Sequence, residues 1–268
     1  MSDMIQNGYT KLTRRLFALS LKRALILCGL LFGVTMLLML KSVNDVTFVQ
    51  AYESLITRAG IRYVFLAALG VWMLSEAAAI HADNFRNNGI YTMMMLPTPR
   101  RNVFLAYCTR GVVCVLMLWT VATLALLVSY APVVALCKNA ATAFQQIDGQ
   151  LYAVERHNGL FLAIIRGDLF HILLPQSVPE AAGSLLVILV CGCLPAYTLV
   201  CRRASLAQSV FLVGSFACVF WALTCRFNCV TFELDISTFV VSTSLLALSM
   251  AGIVVDSVRR LNKDANLV

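Results

Sequence analysis

The sequence predicts an all-α integral membrane protein with six transmembrane helices, and three observations predict it. Of the 268 residues, 60% are hydrophobic and only 13% are charged, against roughly 45–50% and about 25% in soluble domains. The apolar residues gather into blocks long enough to cross a hydrocarbon layer of about 30 Å. The net charge of +8 comes from cations collected between alternate blocks, as expected of the cytoplasmic side of a membrane. No long basic run points to nucleic acid. A soluble domain, a disordered chain and a disulfide-stapled secreted fold are excluded on composition and hydropathy.

In residues 1–23, Tyr9, Leu12, Leu16 and Leu19 recur at helical spacing while Lys11, Arg14, Arg15 and Lys22 fall opposite. This predicts an interfacial elbow helix along the inner leaflet, its cations toward anionic lipid; a solvated basic tail is the other reading. The first span, at about 24–40, is too long for a signal-peptide core. No small-residue cleavage pattern follows it in Ser42-Val43-Asn44-Asp45, so it stays in the mature protein. Further spans are expected at about 63–80, 111–137, 181–200, 206–223 and 236–255, and 1–268 reads as one transmembrane domain.

Placing the N-terminus inside puts Lys11, Arg14, Arg15, Lys22, Arg23, Arg86, Arg100, Arg101, Arg110, Arg202, Arg203, Arg259, Arg260 and Lys263 in the cytoplasm. That is about two thirds of the 21 Lys and Arg residues. Both termini then face the cytoplasm of a multi-pass plasma-membrane protein, although Arg58 and Arg62 fall at the outer end of span two. The outer segment from Lys138 to Glu180 begins polar and turns apolar at Leu160–Leu174. Arg166, Asp168 and His171 interrupt that run and Pro175 ends it, which predicts an amphipathic or re-entrant helix rather than a seventh crossing.

Most of the ten Cys residues lie in or beside apolar blocks, where thiols pack as small hydrophobes. Cys191 and Cys193 are too close together for a zinc ribbon and have no nearby His. Cys137, Cys225 and Cys229 share one membrane face, as free thiols or with a disulfide among them. The chain has no GxxxxGK[ST] phosphate loop, no HExxH and no GxSxG, so neither a catalytic residue nor a metal ligand is predicted. Glu76 is the exception to a set of otherwise nearly uncharged span interiors, and a charge at that depth needs a partner or water. Arg110 lies at a matching depth of roughly 10–13 Å on the antiparallel neighbour, which makes a Glu76–Arg110 ion pair one expectation and snorkelling or a water contact the other. Gly29 and Gly33 form a GxxxG in span one that suits packing within the chain or against a second copy.

The connection between spans two and three reads NFRNNGIYTMMMLPTPRRNVFLAYCTRG from Asn84 to Gly111. Ile90, Tyr91, Met93, Met94, Met95 and Leu96 predict a short apolar helix that Pro97 and Pro99 terminate before Arg100 and Arg101. Such a helix either docks into a groove on a cytosolic partner, where Met side chains adapt to irregular surfaces, or lies on lipid. Starting at Gly89, the run G-x-x-x-x-x-x-L-P-T-P-R-R, with basic Arg110 nine residues beyond Arg101, resembles the Gly…Leu-Pro-Val-Ser-Arg…Lys passage of type-2 ABC permeases. These are the six-span membrane subunits of bacterial type V ABC exporters. The plan of elbow, six spans and extended outer segment also resembles theirs; Thr98-Pro99 and Arg110 depart from the common residues.

The resemblance implies a coupling helix within Asn84–Leu96, with Asn84, Phe85, Arg86, Gly89, Tyr91, Met93, Met94 and Leu96 toward a separate cytosolic ATPase subunit that binds ATP and Mg. It places Arg202 and Arg203, in the second inner loop, near the same partner. It implies two permease copies, identical or similar, with Gly29 and Gly33 as candidate packing positions between them. The expected activity is export of an amphipathic or hydrophobic cargo, peptide being favoured over lipid or drug. A membrane-embedded lipid-modifying enzyme, which would gather Glu76, His81 and Asp83 at a pocket, and a noncatalytic peptide-immunity protein are the rival readings.

Overall fold

Helices α1 (Ser2–Asn44), α2 (Tyr52–Arg58), α3 (Ile61–Phe85), α4 (Arg100–Leu136), α5 (Gly159–Arg166), α6 (Asp168–Leu173), α7 (Val178–Val200), α8 (Leu206–Cys229) and α9 (Ile236–Ala265) make up nearly all of the computed structural model, with a hairpin of strands β1 (Thr142–Ile147) and β2 (Gln150–Glu155) between α4 and α5. The structure describes residues 2–44, 52–85, 100–136, 142–147, 150–155, 159–200, 206–229 and 236–265. Among the described residues six helices are long and apolar enough to cross a membrane: Ser20–Val43, Ile61–Ala82, Arg101–Leu136, Val178–Leu199, Leu206–Phe227 and Thr238–Leu261. The protein is therefore an all-α membrane protein of the expected span count.

The expected elbow is not a separate element. Helix α1 runs unbroken for 43 residues, about 64 Å at 1.5 Å per residue, which is twice the hydrocarbon thickness. Between Tyr9 and Cys28 there is neither Gly nor Pro, so nothing interrupts propagation from the polar segment into the span. Leu16, expected on the lipid-facing side of an elbow, is buried in the protein core, and α1 packs along α4. The apolar side of that segment thus meets protein at Leu16, while Arg14 and Lys22 stay exposed.

Span three also begins about ten residues earlier than expected, because α4 starts at Arg100. Arg110, counted from sequence among the cytoplasmic cations, sits a third of the way along this helix and is buried. Helix α7 is the centre of the bundle, with 72% of its span window buried against 22–44% for the other five. It crosses α4 at Gly111 and Gly192, where a Cβ on Gly111 would lie 2.1 Å from the Gly192 carbonyl oxygen and one on Gly192 would lie 2.6 Å from the Val112 amide nitrogen. Only glycine on both helices permits backbones this close.

The end of the bundle at which span one finishes is closed by short elements. Tyr52 of α2 donates to the Leu126 carbonyl at 2.6 Å and lies 2.8 Å from the Ser129 hydroxyl. Burial pushes its phenol up to about 12. Gly60, at φ 68°, turns the chain from α2 into α3. The apolar stretch before Pro175 is two helices that meet at Gly167, where a Cβ would press on the Ala163 carbonyl at 2.6 Å. Helix α6 is seated in the bundle: Phe170 is buried, Trp119 donates to the Leu173 carbonyl at 3.1 Å and Ser184 to that of Ile172 at 3.0 Å. The expected single outer-face helix is therefore a helix pair.

The antiparallel hairpin, with Ile147 opposite Gln150 and Thr142 opposite Glu155, is an addition to the all-α expectation. Its signal was present in the sequence as Asp148-Gly149 between two short runs. Cys28, Cys108, Cys114, Cys191, Cys193, Cys218 and Cys225 are free thiols. Cys137 lies outside the described residues, as does the side chain of Cys229.

Because the α4–α7 crossing has no room for a side chain, Gly111→Leu is expected to cost about 3 kcal/mol or more, read as a lowered thermal midpoint and loss of monodisperse protein on size exclusion. Gly214→Leu, at a position with open space around it, should leave both unchanged.

Candidate functional site

The site is built from three consecutive crossings. Glu76 of α3 is almost fully buried at 1% exposure, and the Arg110 guanidinium of α4, at 5%, donates Nη2 to its Oε2. The expected pair is thus formed, but it is not alone. Arg23 of α1 places Nη2 3.3 Å from Glu76 Oε1 and donates Nη1 to the Ser75 carbonyl at 3.2 Å. One carboxylate joins two guanidinium groups across α1, α3 and α4. The sequence reading missed Arg23 because it assigned residues 1–23 to an elbow outside the membrane; the unbroken α1 carries Arg23 into the bundle instead.

Local helix geometry positions each group. Tyr107, three residues before Arg110 on the same face, puts its ring 4.7 Å beneath the guanidinium. Cys114, four residues after, brings its thiol within 3.8 Å of the Ser20 hydroxyl on α1. Trp72 lies one turn before Glu76 and is fully buried. A carboxylate in such surroundings is tolerated because its charge is opposed on both sides. The cluster nevertheless carries two positive charges for one negative, and Arg110 Nε is buried with no hydrogen-bond acceptor.

A second polar cluster ties the last three spans. Asp256 of α9 accepts hydrogen bonds at Oδ2 from the Tyr197 hydroxyl of α7 at 2.6 Å, from Gln208 Nε2 of α8 at 3.4 Å and from Arg260 Nε at 2.9 Å. Spans two and six both end toward the same side, since crossings alternate, and Glu76 and Asp256 both lie near the ends of their spans. One end of the bundle therefore holds two polar clasps, one on spans one to three and the other on spans four to six. At the opposite end Arg226 of α8 is buried over Gly183 of α7, where a Cβ would overlap its Nη2, and donates Nη1 to the Ser184 hydroxyl at 3.4 Å. Neither Asp256 nor Arg226 had been singled out, since an ionisable residue near a span end reads as an ordinary boundary charge.

The other expected positions separate. Glu76 is enclosed by arginines while His81 is exposed, and the side chain of Asp83 lies outside the described residues. Among the described residues nothing lies within 4 Å of a Cβ built on Gly29 or Gly33, so none of the described helices packs closely on the GxxxG. Arg86, Gly89, Tyr91, Met93, Met94, Leu96, Arg202 and Arg203 lie outside the described residues; α3 reaches Asn84 and Phe85, whose side chains are also outside them. Among the described residues no group of His, Cys, Asp and Glu could hold a metal ion.

Architecture and site define a six-span, all-α membrane protein with charged clasps near one end of its bundle. No protein family, curated protein or solved structure matches this chain.

Two outcomes follow from this geometry. Glu76→Gln leaves the buried Arg110 and the half-buried Arg23 without a counter-charge and is expected to destabilise by about 3–5 kcal/mol. The exchange Glu76→Arg with Arg110→Glu restores only part of this, because Arg23 then faces an arginine; adding Arg23→Gln should improve recovery, as measured by thermal unfolding in detergent.

At the end of the bundle closed by α2, α5 and α6, burial raises the Asp168 carboxyl above its ordinary value, against the lowering effects of His171 and Arg62. Just above that ordinary value the folded chain holds a proton the unfolded chain has released, so stability falls as pH rises through the window. Asp168→Asn should remove this component from the pH dependence of the thermal midpoint.

Proposed function

We propose that the chain is the membrane-spanning subunit of an ATP-driven exporter, working with a separate cytosolic ATPase and a second copy of itself or a similar chain. The observation that carries the reading is the apolar, proline-terminated sequence between Phe85 and Arg100, set between two helices whose ends on that side are locked to α1 by the triad. A segment rich in Met and Tyr between charged helix ends suits a groove on a protein partner. ATP-driven closure of the partner subunits would push this connection, and the triad makes spans one, two and three respond together rather than singly. ATP and Mg belong to the partner, since the chain has no phosphate loop of its own.

The cargo in this reading is amphipathic or hydrophobic, with peptide favoured. Exposed Leu, Ile and Val dominate the outer faces of the spans, and a path formed between two such bundles would offer few groups to a sugar or a hydrated ion. Export fits a protein of the plasma membrane with both termini in the cytoplasm. The lipid-enzyme reading gains nothing from Glu76, which arginines enclose, or from His81, which is exposed.

The test is co-isolation of the intact protein with a cytosolic ATPase. Tyr91→Ala and Met94→Ala should each lower cargo-stimulated hydrolysis about tenfold, the scale of losing one anchor at an interface, with an unchanged thermal midpoint. Purification without any ATPase, or hydrolysis indifferent to both substitutions, would overturn the reading.

A further inference from the structure

We propose that the Arg23–Glu76–Arg110 cluster is completed by the phosphate of one acidic phospholipid, bound from the leaflet at that end of the bundle against Arg23. The inference is independent of any transport activity. It begins with charge. Two guanidinium groups and one carboxylate leave a surplus of one positive charge, and the carboxylate and Arg110 are 1% and 5% exposed. A surplus charge beside hydrocarbon is costly unless an anion approaches it. Arg23 and Arg110 make no other ion pair among the described residues.

The cluster is also open at one place. Arg23, at 35% exposure, is its only member accessible from outside. It lies three residues into the span that begins at Ser20, about 5 Å along the helix axis, which is headgroup depth. Lys22 beside it is exposed, so a second cation stands next to the approach. Above it on the same helix the exposed residues become apolar, with Leu25 at 53%, Ile26 at 64% and Leu30 at 58%. Cations at the headgroup level below an apolar strip match an anionic head with acyl chains. A second copy of the chain fits less well: packing two such faces together would set Arg23 and Lys22 of one copy near those of the other, and like charges at a low-dielectric boundary repel.

The experiment uses the full-length protein in vesicles of phosphatidylcholine, with and without phosphatidylglycerol. Retained lipid is counted by native mass spectrometry, and thermal unfolding is followed in both. The parent should retain phosphatidylglycerol in preference to phosphatidylcholine and unfold at a higher temperature when it is present. Arg23→Gln should weaken the preference about fivefold, the worth of one basic residue at the surface, and abolish the gain in unfolding temperature. In phosphatidylcholine alone Arg23→Gln should be as stable as the parent or more so, because the remaining Glu76–Arg110 pair is neutral. Lys41→Gln, exposed near the opposite end of α1, should behave as the parent does. Equal retention of both lipids by the parent, an Arg23→Gln protein that keeps the preference, or one that unfolds in phosphatidylcholine where the parent does not would overturn the proposal. A change in dimer fraction with no change in lipid count would assign the face to a second copy and overturn it too.

Discussion

A carboxylate cannot stay charged within a hydrophobic bundle unless cations meet it there, and Glu76 imposes that requirement on three helices at once. Arg110 comes from α4 and Arg23 from α1, so meeting the requirement fixes the rotation of both helices about their axes and their depth relative to α3. Apolar packing alone specifies these less sharply, since Leu, Val and Phe faces can slide or turn at modest cost. The register of the first three spans is therefore a consequence of electrostatics near one end, with dispersion and lipid exclusion filling in the rest.

The two halves of the bundle are held by different physics. Spans one to three share the charged triad, and spans four to six share the hydrogen bonds that converge on Asp256. The halves meet where α3 and α4 pack on α7, and the Gly111–Gly192 crossing there depends on close backbone contact. Polar clasps within halves and a glycine crossing between them suit rigid-body movement of one half against the other, because hydrogen-bonded clusters resist change while a smooth contact can pivot. The end closed by α2, α5 and α6 works against such movement. There Tyr52, Trp119 and Ser184 anchor the short elements to spans three and four. A bundle tethered at one end and clasped in halves at the other would move most at the clasped end, where the sequence between Phe85 and Arg100 attaches.

Much of the site was legible in sequence. Glu76 stood out as the one acid deep in an otherwise uncharged span, and counting 1.5 Å per residue from the two inner boundaries put Arg110 at its depth. Arg23 was not legible in the same way. Its neighbours Leu12, Leu16 and Leu19 repeat as in an interfacial helix, and periodicity cannot tell a face that rests on lipid from one that rests on another helix. The clasp on Asp256 was hidden for a related reason: Tyr197, Gln208 and Asp256 are far apart in sequence, each unremarkable near a span end. The hairpin carried a turn signal in Asp148-Gly149, outweighed by the helical character of everything around it.

Taken alone, the sequence determined the number of spans, their approximate limits, the all-α membrane class and the presence of one buried charge in need of a partner, because hydropathy and charge cost depend only on what a segment is made of. Tertiary structure decided which helix supplies each countercharge, that α1 continues straight where an elbow was expected, that α7 is the central helix and that Gly111 meets Gly192. Those outcomes depend on which faces pack together, and a linear pattern of residues states the existence of a face but not the identity of what lies against it.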